Sequence, residues 1–183
     1  MKIWENRRLM MFIMIFMIIF SILFGSHRTL ASLKEDLTEV FYQGADNDGY
    51  GIQNDLERVI DSSSRLLSIA GLYVRGDDVD LVDEVSEAQL ALVNASRIHD
   101  KYLTYQQLDS LIDQLYYALD DYPLNEAHKV AIRTLYYDIS EAKDKIGHNQ
   151  YNTQADQFNQ TLKNFPANIL SKLTFITKAD TFR

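Results

Sequence analysis

Ten apolar residues near the end of the chain recur at helical steps. Ile132, Leu135, Ile139, Ala142, Ile146, Tyr151, Ala155, Phe158, Leu162 and Phe165 are separated by 3, 4, 3, 4, 5, 4, 3, 4 and 3 positions. Steps of three and four trace one face of an α-helix, whereas a half-buried strand would alternate every second residue. The stripe persists for about 35 residues and stops at Phe165-Pro166. Its five-residue step brackets Gly147, where a local bend is expected. A helix of that length cannot cover its own apolar face, so the chain must supply partner helices.

Three further runs supply them. Ile52, Leu56, Val59, Ile60, Leu66, Leu67, Ala70 and Val74 form one amphipathic pattern. Gly76-Asp77-Asp78 interrupts it, as a break or a kink, and Val79, Val82, Val85, Leu92 and Val93 resume it. Leu108, Leu111, Ile112, Leu115 and Leu119 form the third run, which stops at Tyr122-Pro123. The residue before a proline is pushed out of helical geometry, and Asn125 can then cap the next helix. No segment alternates like a strand. Seven glycines and two prolines leave long helices uninterrupted. The expected fold is all-α, and short connections favour antiparallel neighbours. The body should be an elongated antiparallel up-and-down bundle of about four helices, preceded by an N-terminal transmembrane helix.

That transmembrane helix is read from Leu9 to Phe24, "LMMFIMIFMIIFSILF", which holds no charge and one polar residue, Ser21. Gly25 and Ser26 extend the span to residue 26, inside the lower limit of roughly 17 residues for crossing a bilayer. Leu, Ile and Phe each favour the centre of the membrane by about 0.3–0.6 kcal/mol, so insertion is favourable by several kcal/mol. A cleaved signal peptide shares the basic start and apolar centre but needs small residues before the cut. Phe24-Gly25-Ser26 places a bulky side chain there, and Thr29-Leu30-Ala31 fits better but lies late. An uncleaved anchor is therefore expected. Lys2, Arg7 and Arg8 precede the span, so residues 1–8 should be cytoplasmic and the body extracytoplasmic. Arg28 and Lys34 on the far side weigh the other way. This is the layout of a single-pass protein of a bacterial-type cell membrane, with lipid as its partner along residues 9–26. The body follows at 27–176 and a short tail at 177–183. An even number of passes would return "ANILSKLTFITKADTFR" to the membrane side. Ile169, Leu170, Leu173 and Phe175, beside Lys172 and Lys178, could rest on headgroups there or pack on the end of the bundle.

Charge and cysteine content exclude several functions. The chain has a net charge of −8, and residues 29–183 alone carry 14 basic and 25 acidic side chains, a net −11. Such a body repels phosphate backbones, so nucleic acid is not an expected partner. There is no cysteine, which removes disulfides, thiolate metal sites, a cysteine nucleophile and lipidated cysteine. His27, His99, His128 and His148 do not fall in the helical spacings of zinc or di-iron sites. No glycine-rich phosphate loop, nucleophile elbow or paired catalytic carboxylates appear.

One stretch offers metal chemistry. "QGADNDGYGIQNDLERV", Gln43 to Val59, crowds acids and glycines ahead of an apolar pattern. A calcium loop wants oxygen ligands at positions 1, 3 and 5, glycine at 6 and an acid at 12. Counting from Asp46 gives Asp48 at 3, Tyr50 at 5, Gly51 at 6 and Glu57 at 12. Counting from Gly44 gives Asp46, Asp48, Gly49 at 6 and Asp55 at 12. Each register lacks one ligand. The candidate ligands are Asp46, Asp48, Asp55 and Glu57, for a weakly held Ca2+. The competing and preferred reading is a turn that starts a helix, with glycines at positive φ and acids near the helix dipole. Asp77, Asp78, Asp80, Asp83 and Glu84 form a second acidic cluster, read as a solvated helix start.

The ending "QYNTQADQFNQTLKNFPANILSKL" resembles the LemA family. Members carry a tyrosine-asparagine pair, a second such pair about seven residues on, then phenylalanine-proline and a small apolar tail. Here these read Tyr151-Asn152, Phe158-Asn159, Phe165-Pro166 and Asn168-Ile169-Leu170. "ALDDYPLNEA", Ala118 to Ala127, resembles the family's Tyr-Pro junction. The resemblance covers roughly residues 28–176 and departs at Ser26-His27-Arg28 and at "GYGIQNDLERV", which marks a divergent member. It implies a membrane-anchored helical bundle with no known enzymatic activity and brings no catalytic residues; no cofactor is expected other than the Ca2+ weighed above. The function expected is a non-catalytic scaffold or protein-interaction module of the envelope. The alternative is an extracytoplasmic sensor with a calcium site at Asp46–Glu57. Eleven tyrosines, eight of them from Tyr102 to Tyr151, would line half-buried seams of the bundle or form a face for a protein partner.

Overall fold

The computed structural model describes residues 7–45 and 49–183. The calcium candidates Asp46 and Asp48, and the N-terminal residues up to Asn6, lie outside the described residues. The elements are α1 (Arg7–Gln43), α2 (Ile52–Tyr73), a 3-10 turn (Gly76–Asp78), α3 (Val79–Asn94), α4 (Ile98–Leu119), α5 (Glu126–His148), α6 (Tyr151–Thr161) and α7 (Ala167–Leu173). There is no strand among the described residues. Two compact units form. One joins the chain up to Thr38 with Gln154–Ala179, and the other joins Glu39–Thr153 with Asp180–Arg183.

The second unit contains a four-helix bundle. Along α2 the buried positions are Ile52, Leu56, Val59, Leu66 and Ala70, the face read from the sequence. This face packs chiefly on α5 and also on α3, and α3 packs on α4. Neighbours run antiparallel: Arg58 of α2 lies 3.7 Å from Glu141 of α5, while Tyr73 at the far end meets His128. Long side chains join α4 to α5. Lys143 pairs with Asp109 at 2.5 Å, the Tyr136 hydroxyl donates to Asp113 at 2.9 Å, and the rings of Tyr116 and Tyr136 stack 3.9 Å apart. Those tyrosines line a seam of the bundle. The stack and the hydrogen bond to Asp113 fix the spacing between the two helices.

The helix boundaries have local causes. Gly44, at φ +85°, ends α1, and its N–H reaches the Val40 carbonyl at 3.0 Å. Gly76, at φ +72°, makes the interruption after α2 a true break. Asn125 caps α5 as expected, accepting from the His128 N–H at 2.7 Å. The bend expected at Gly147 occurs two residues later. Gly147 stays helical, and Asn149 leaves the helix at φ −68°, ψ 138°, with its side chain accepting from the Tyr151 N–H at 2.9 Å. Asparagine satisfies a free helix donor in that position, so it outcompetes the glycine as the breaking point.

In the other unit, α1 exposes every large apolar side chain from Leu9 to Phe20, and Ile22 and Phe24 beyond them. Among the described residues, α1 is the one helix long and apolar enough to cross a membrane. Further along, Leu30 and Leu37 are buried, as are Ala155, Phe158 and Leu162. Lys34 donates to Thr177 at 2.7 Å. The Phe165–Pro166 peptide is cis.

Candidate functional site

The acidic loop is first of all a helix start. Gly49 sits at φ +79° and donates to the Gln43 carbonyl at 2.7 Å, while Asn54 donates its side-chain amide back to the Gly49 carbonyl at 2.8 Å. Gly51 has an ordinary φ of −71° but no room for a side chain. A Cβ there would lie 2.6 Å from the Phe41 carbonyl oxygen and from the Tyr42 carbonyl carbon. The glycine therefore lets α2 begin against the last turn of α1.

Of the four candidate ligands, Asp55 and Glu57 fall on α2. Two residues apart on a helix, they are separated by about 200° around its axis. Asp55 is buried, with Arg58 at 3.6 Å. Burial raises its carboxyl above the usual range, and Lys145 and Arg58 offset part of that rise. Glu57 is exposed and accepts from Gln53 at 2.8 Å. Both line a cleft of about 600 Å³, in which the acids Asp55, Glu57, Asp61 and Asp138 outnumber Arg58 and Arg65. Among the described residues, no three His, Asp or Glu side chains converge to hold a metal. His128 takes a hydrogen bond with Tyr73 at 2.7 Å, and His148 lies 3.4 Å from Asp144.

A second interior feature was not foreseen from the sequence. Lys101 on α4 is buried, and burial lowers its ammonium pKa, with Glu57 opposing weakly. One turn on, Tyr105 is also buried, and its hydroxyl has no hydrogen-bond partner among the described residues. Burial, then the charges of Asp109, Asp113 and Asp55, pushes its pKa well up. The Tyr105 ring instead works as an apolar wall.

That wall belongs to an aromatic enclosure around one residue of the tail. Phe182, near the end of the chain, is 4% exposed. Its ring lies 5.4 Å from Tyr102, 5.8 Å from Tyr105 and 5.8 Å from Phe41, centroid to centroid. Full burial of such a ring contributes about 1.5–3 kcal/mol. Asn152 grips the backbone of the same residue from both sides. Its side-chain amide donates to the Phe182 carbonyl at 2.8 Å, and its side-chain oxygen accepts from the Phe182 N–H at 2.8 Å. The Tyr151 hydroxyl donates to the Asp180 carbonyl at 2.7 Å, and Nδ1 of His99 donates to the Arg183 carbonyl at 3.1 Å. The second asparagine repeats the device in its own unit. Asn159 accepts from the Ala179 N–H at 2.8 Å and donates to the Ala179 carbonyl at 3.0 Å. Seven residues bring a helix back to the same face, so this spacing was the signal available in the sequence. What could not be read was that both asparagines grip the backbone of the tail, and that Phe41, Tyr102 and Phe182 meet.

An all-helical bundle joined to a helix of membrane-spanning length is the class of protein these features define. The LemA family model matches residues 50–183, which cover the bundle, both asparagines and the gripped tail. The chain belongs to the LemA family. Comparison with curated proteins returns no match.

Proposed function

We propose that this protein is a non-catalytic scaffold or protein-interaction module of a bacterial-type cell envelope, held by one membrane helix. The carrying observation is the pairing of an exposed, uncharged helical stretch, Leu9–Phe24, with a separately packed helical bundle. An exposed apolar surface of that length is stable only in lipid. The reading is supported further by the bundle's interior polar groups, which serve the fold: Asp55 pairs with Arg58, Tyr136 with Asp113, Tyr151 with the tail. By the charge rule, Arg7 and Arg8 keep the N-terminus cytoplasmic and the acidic body outside.

Crosslinking in the native membrane, followed by identification of neighbours, tests the interaction role. Specific neighbours recovered through the bundle support it, and recovery of lipid adducts alone rejects it. Protease added to intact cells tests sidedness. Loss of the bundle from the outside is expected; digestion of only the first dozen residues would reverse the orientation.

A further inference from the structure

The unit that holds the apolar stretch of α1 also holds a second apolar surface. Its other segment, Gln154–Ala179, carries Phe165 at 81% exposure and Phe175 at 89%, with Ile169 and Leu173 more than half exposed. Among the described residues, no large apolar side chain is more exposed than these two phenylalanines. Neither ring is packed into the fold. Phe175 takes the φ of +59° that closes α7, where the Ile176 N–H meets the Ser171 carbonyl at 2.9 Å. Glycine or asparagine ordinarily fills such a position, so a solvated aromatic ring there points to a contact outside the chain.

Charge marks the same segment. Residues 157–179 contain Lys163, Lys172 and Lys178 and no acid, in a body whose net charge is −11. All three lysines are exposed. Apolar side chains beside lysines, free of carboxylates, match the boundary between acyl chains and anionic headgroups.

Helix geometry brings this segment to that boundary. Tyr151, which opens α6, packs on Phe41 near the end of α1, with ring centroids 5.2 Å apart. From Gln154 the chain joins the unit of residues up to Thr38, so α6 runs back along α1 toward the apolar stretch. Leu37 and Leu30 of α1 are buried along this course, as are Ala155, Phe158 and Leu162. Lys34 donates to Thr177 at 2.7 Å beside it. Phe41 lies fifteen residues beyond Ser26, roughly 22 Å along the helix axis. The 11 residues of α6 cover roughly 16 Å of that in return. The far end of α6 therefore stands about 6 Å from the end of the span, within a headgroup layer about 5–7 Å deep. Phe165 sits in the turn that follows.

We propose that the α6–α7 turn and α7 dock on the membrane surface, with Phe165 and Phe175 entering the boundary and the three lysines binding anionic headgroups. The proposal rests on the membrane-anchor part of the reading above. The leader holds the protein at the bilayer, and the docked segment removes the swivel that a single helix would leave. Continuity with the span favours lipid as the occupant, since both apolar surfaces belong to one compact unit.

The absence of native cysteine allows a direct test. Phe165→Cys, Phe175→Cys, Leu90→Cys and Phe16→Cys, each alone in the full-length chain, are labelled with an environment-sensitive fluorophore. All four positions are exposed. The proteins are reconstituted into vesicles of phosphatidylcholine and phosphatidylglycerol. Lipid carrying a headgroup quencher should quench the labels at 165 and 175 severalfold more than the bundle label at 90, and aqueous iodide should do the reverse. The label at 16 reports the anchor. If it lies in lipid while 165 and 175 respond like 90, the docking is overturned and the anchor stands. If 16 itself responds like 90, the anchor falls and the docking with it. Lys163→Glu, Lys172→Glu and Lys178→Glu together should lower lipid quenching at 165 severalfold. Unchanged quenching would mean that the leader merely tethers the turn near the surface, which also overturns the docking.

Discussion

At the scale of single residues, two glycines on or beside α2 have opposite meanings. Gly51 faces backbone at 2.6 Å, and backbone cannot swing aside as a flexible side chain would. Gly71 lies within α2 with open space where its Cβ would be. Gly51→Ala should cost about 1–3 kcal/mol, the range for forced overpacking. Gly71→Ala should stabilise by about 0.5 kcal/mol, by reducing the freedom of the unfolded chain. Thermal unfolding of the detergent-solubilised protein, followed by circular dichroism, checks both signs. Asp55 supplies a third residue-scale expectation. Its folded pKa is raised above 3.8, chiefly by burial, so the ionised form is the costly one. The folded state therefore binds the proton more tightly, and this site adds stability as pH falls through the raised value toward 3.8. Asp55→Asn removes the cost. The variant should be more stable than wild type at neutral pH, with the gap closing across that acidic window. Melting temperatures recorded through the acid range would show a constant gap if the burial cost were absent.

At the scale of elements, the ends of helices explain what the sequence reveals and what it hides. Nine of the ten stripe residues from Ile132 are buried, and the tenth, Phe165, is 81% exposed. It lies past Thr161, where α6 has ended, so three-residue spacing no longer places it on the buried face. Periodicity gave the buried face of α2, α4 and α5 because that pattern is local. Asn125 was legible for the same reason, since a cap needs only its neighbours. The grip on the tail was not, because Phe41, Tyr102 and Phe182 meet only after the chain has folded. Gly51 was readable as a turn glycine, but its close approach to α1 was not. The Asn125 cap also reaches across to α2, donating to the Tyr73 hydroxyl at 3.0 Å, which in turn meets His128 at 2.7 Å. Asn125→Ala should cost about 0.5–2 kcal/mol as a lost cap. Asn125→Asp keeps the acceptor for the His128 N–H but loses the donor to Tyr73. It should recover most of the loss if the cap dominates, and little if the link to Tyr73 does. Urea unfolding of the two variants side by side separates these contributions.

At the scale of the whole molecule, the proposed membrane attachment falls to the apolar leader and not to the acidic body. Residues 29–183 carry a net −11, which opposes binding to anionic lipid surfaces. On the proposed reading, attachment comes from the stretch Leu9–Phe24, whose side chains all lack charge. Its insertion is favourable by several kcal/mol, and one arginine at the centre of a span costs about 2.5–3.5 kcal/mol. Two arginines there therefore offset most or all of the gain. Ile15→Arg with Ile18→Arg should convert the protein from alkali-resistant in the membrane to extractable, whereas Ile15→Leu with Ile18→Leu should leave it in place. Both substitutions lie on exposed positions of α1, so the bundle itself should not feel them. Carbonate extraction followed by immunoblotting reads the partition, and the size of the retained band tells whether the leader is still attached. A double-arginine variant that stayed in the pellet would mean that the bundle, or a partner bound to it, holds the protein at the membrane.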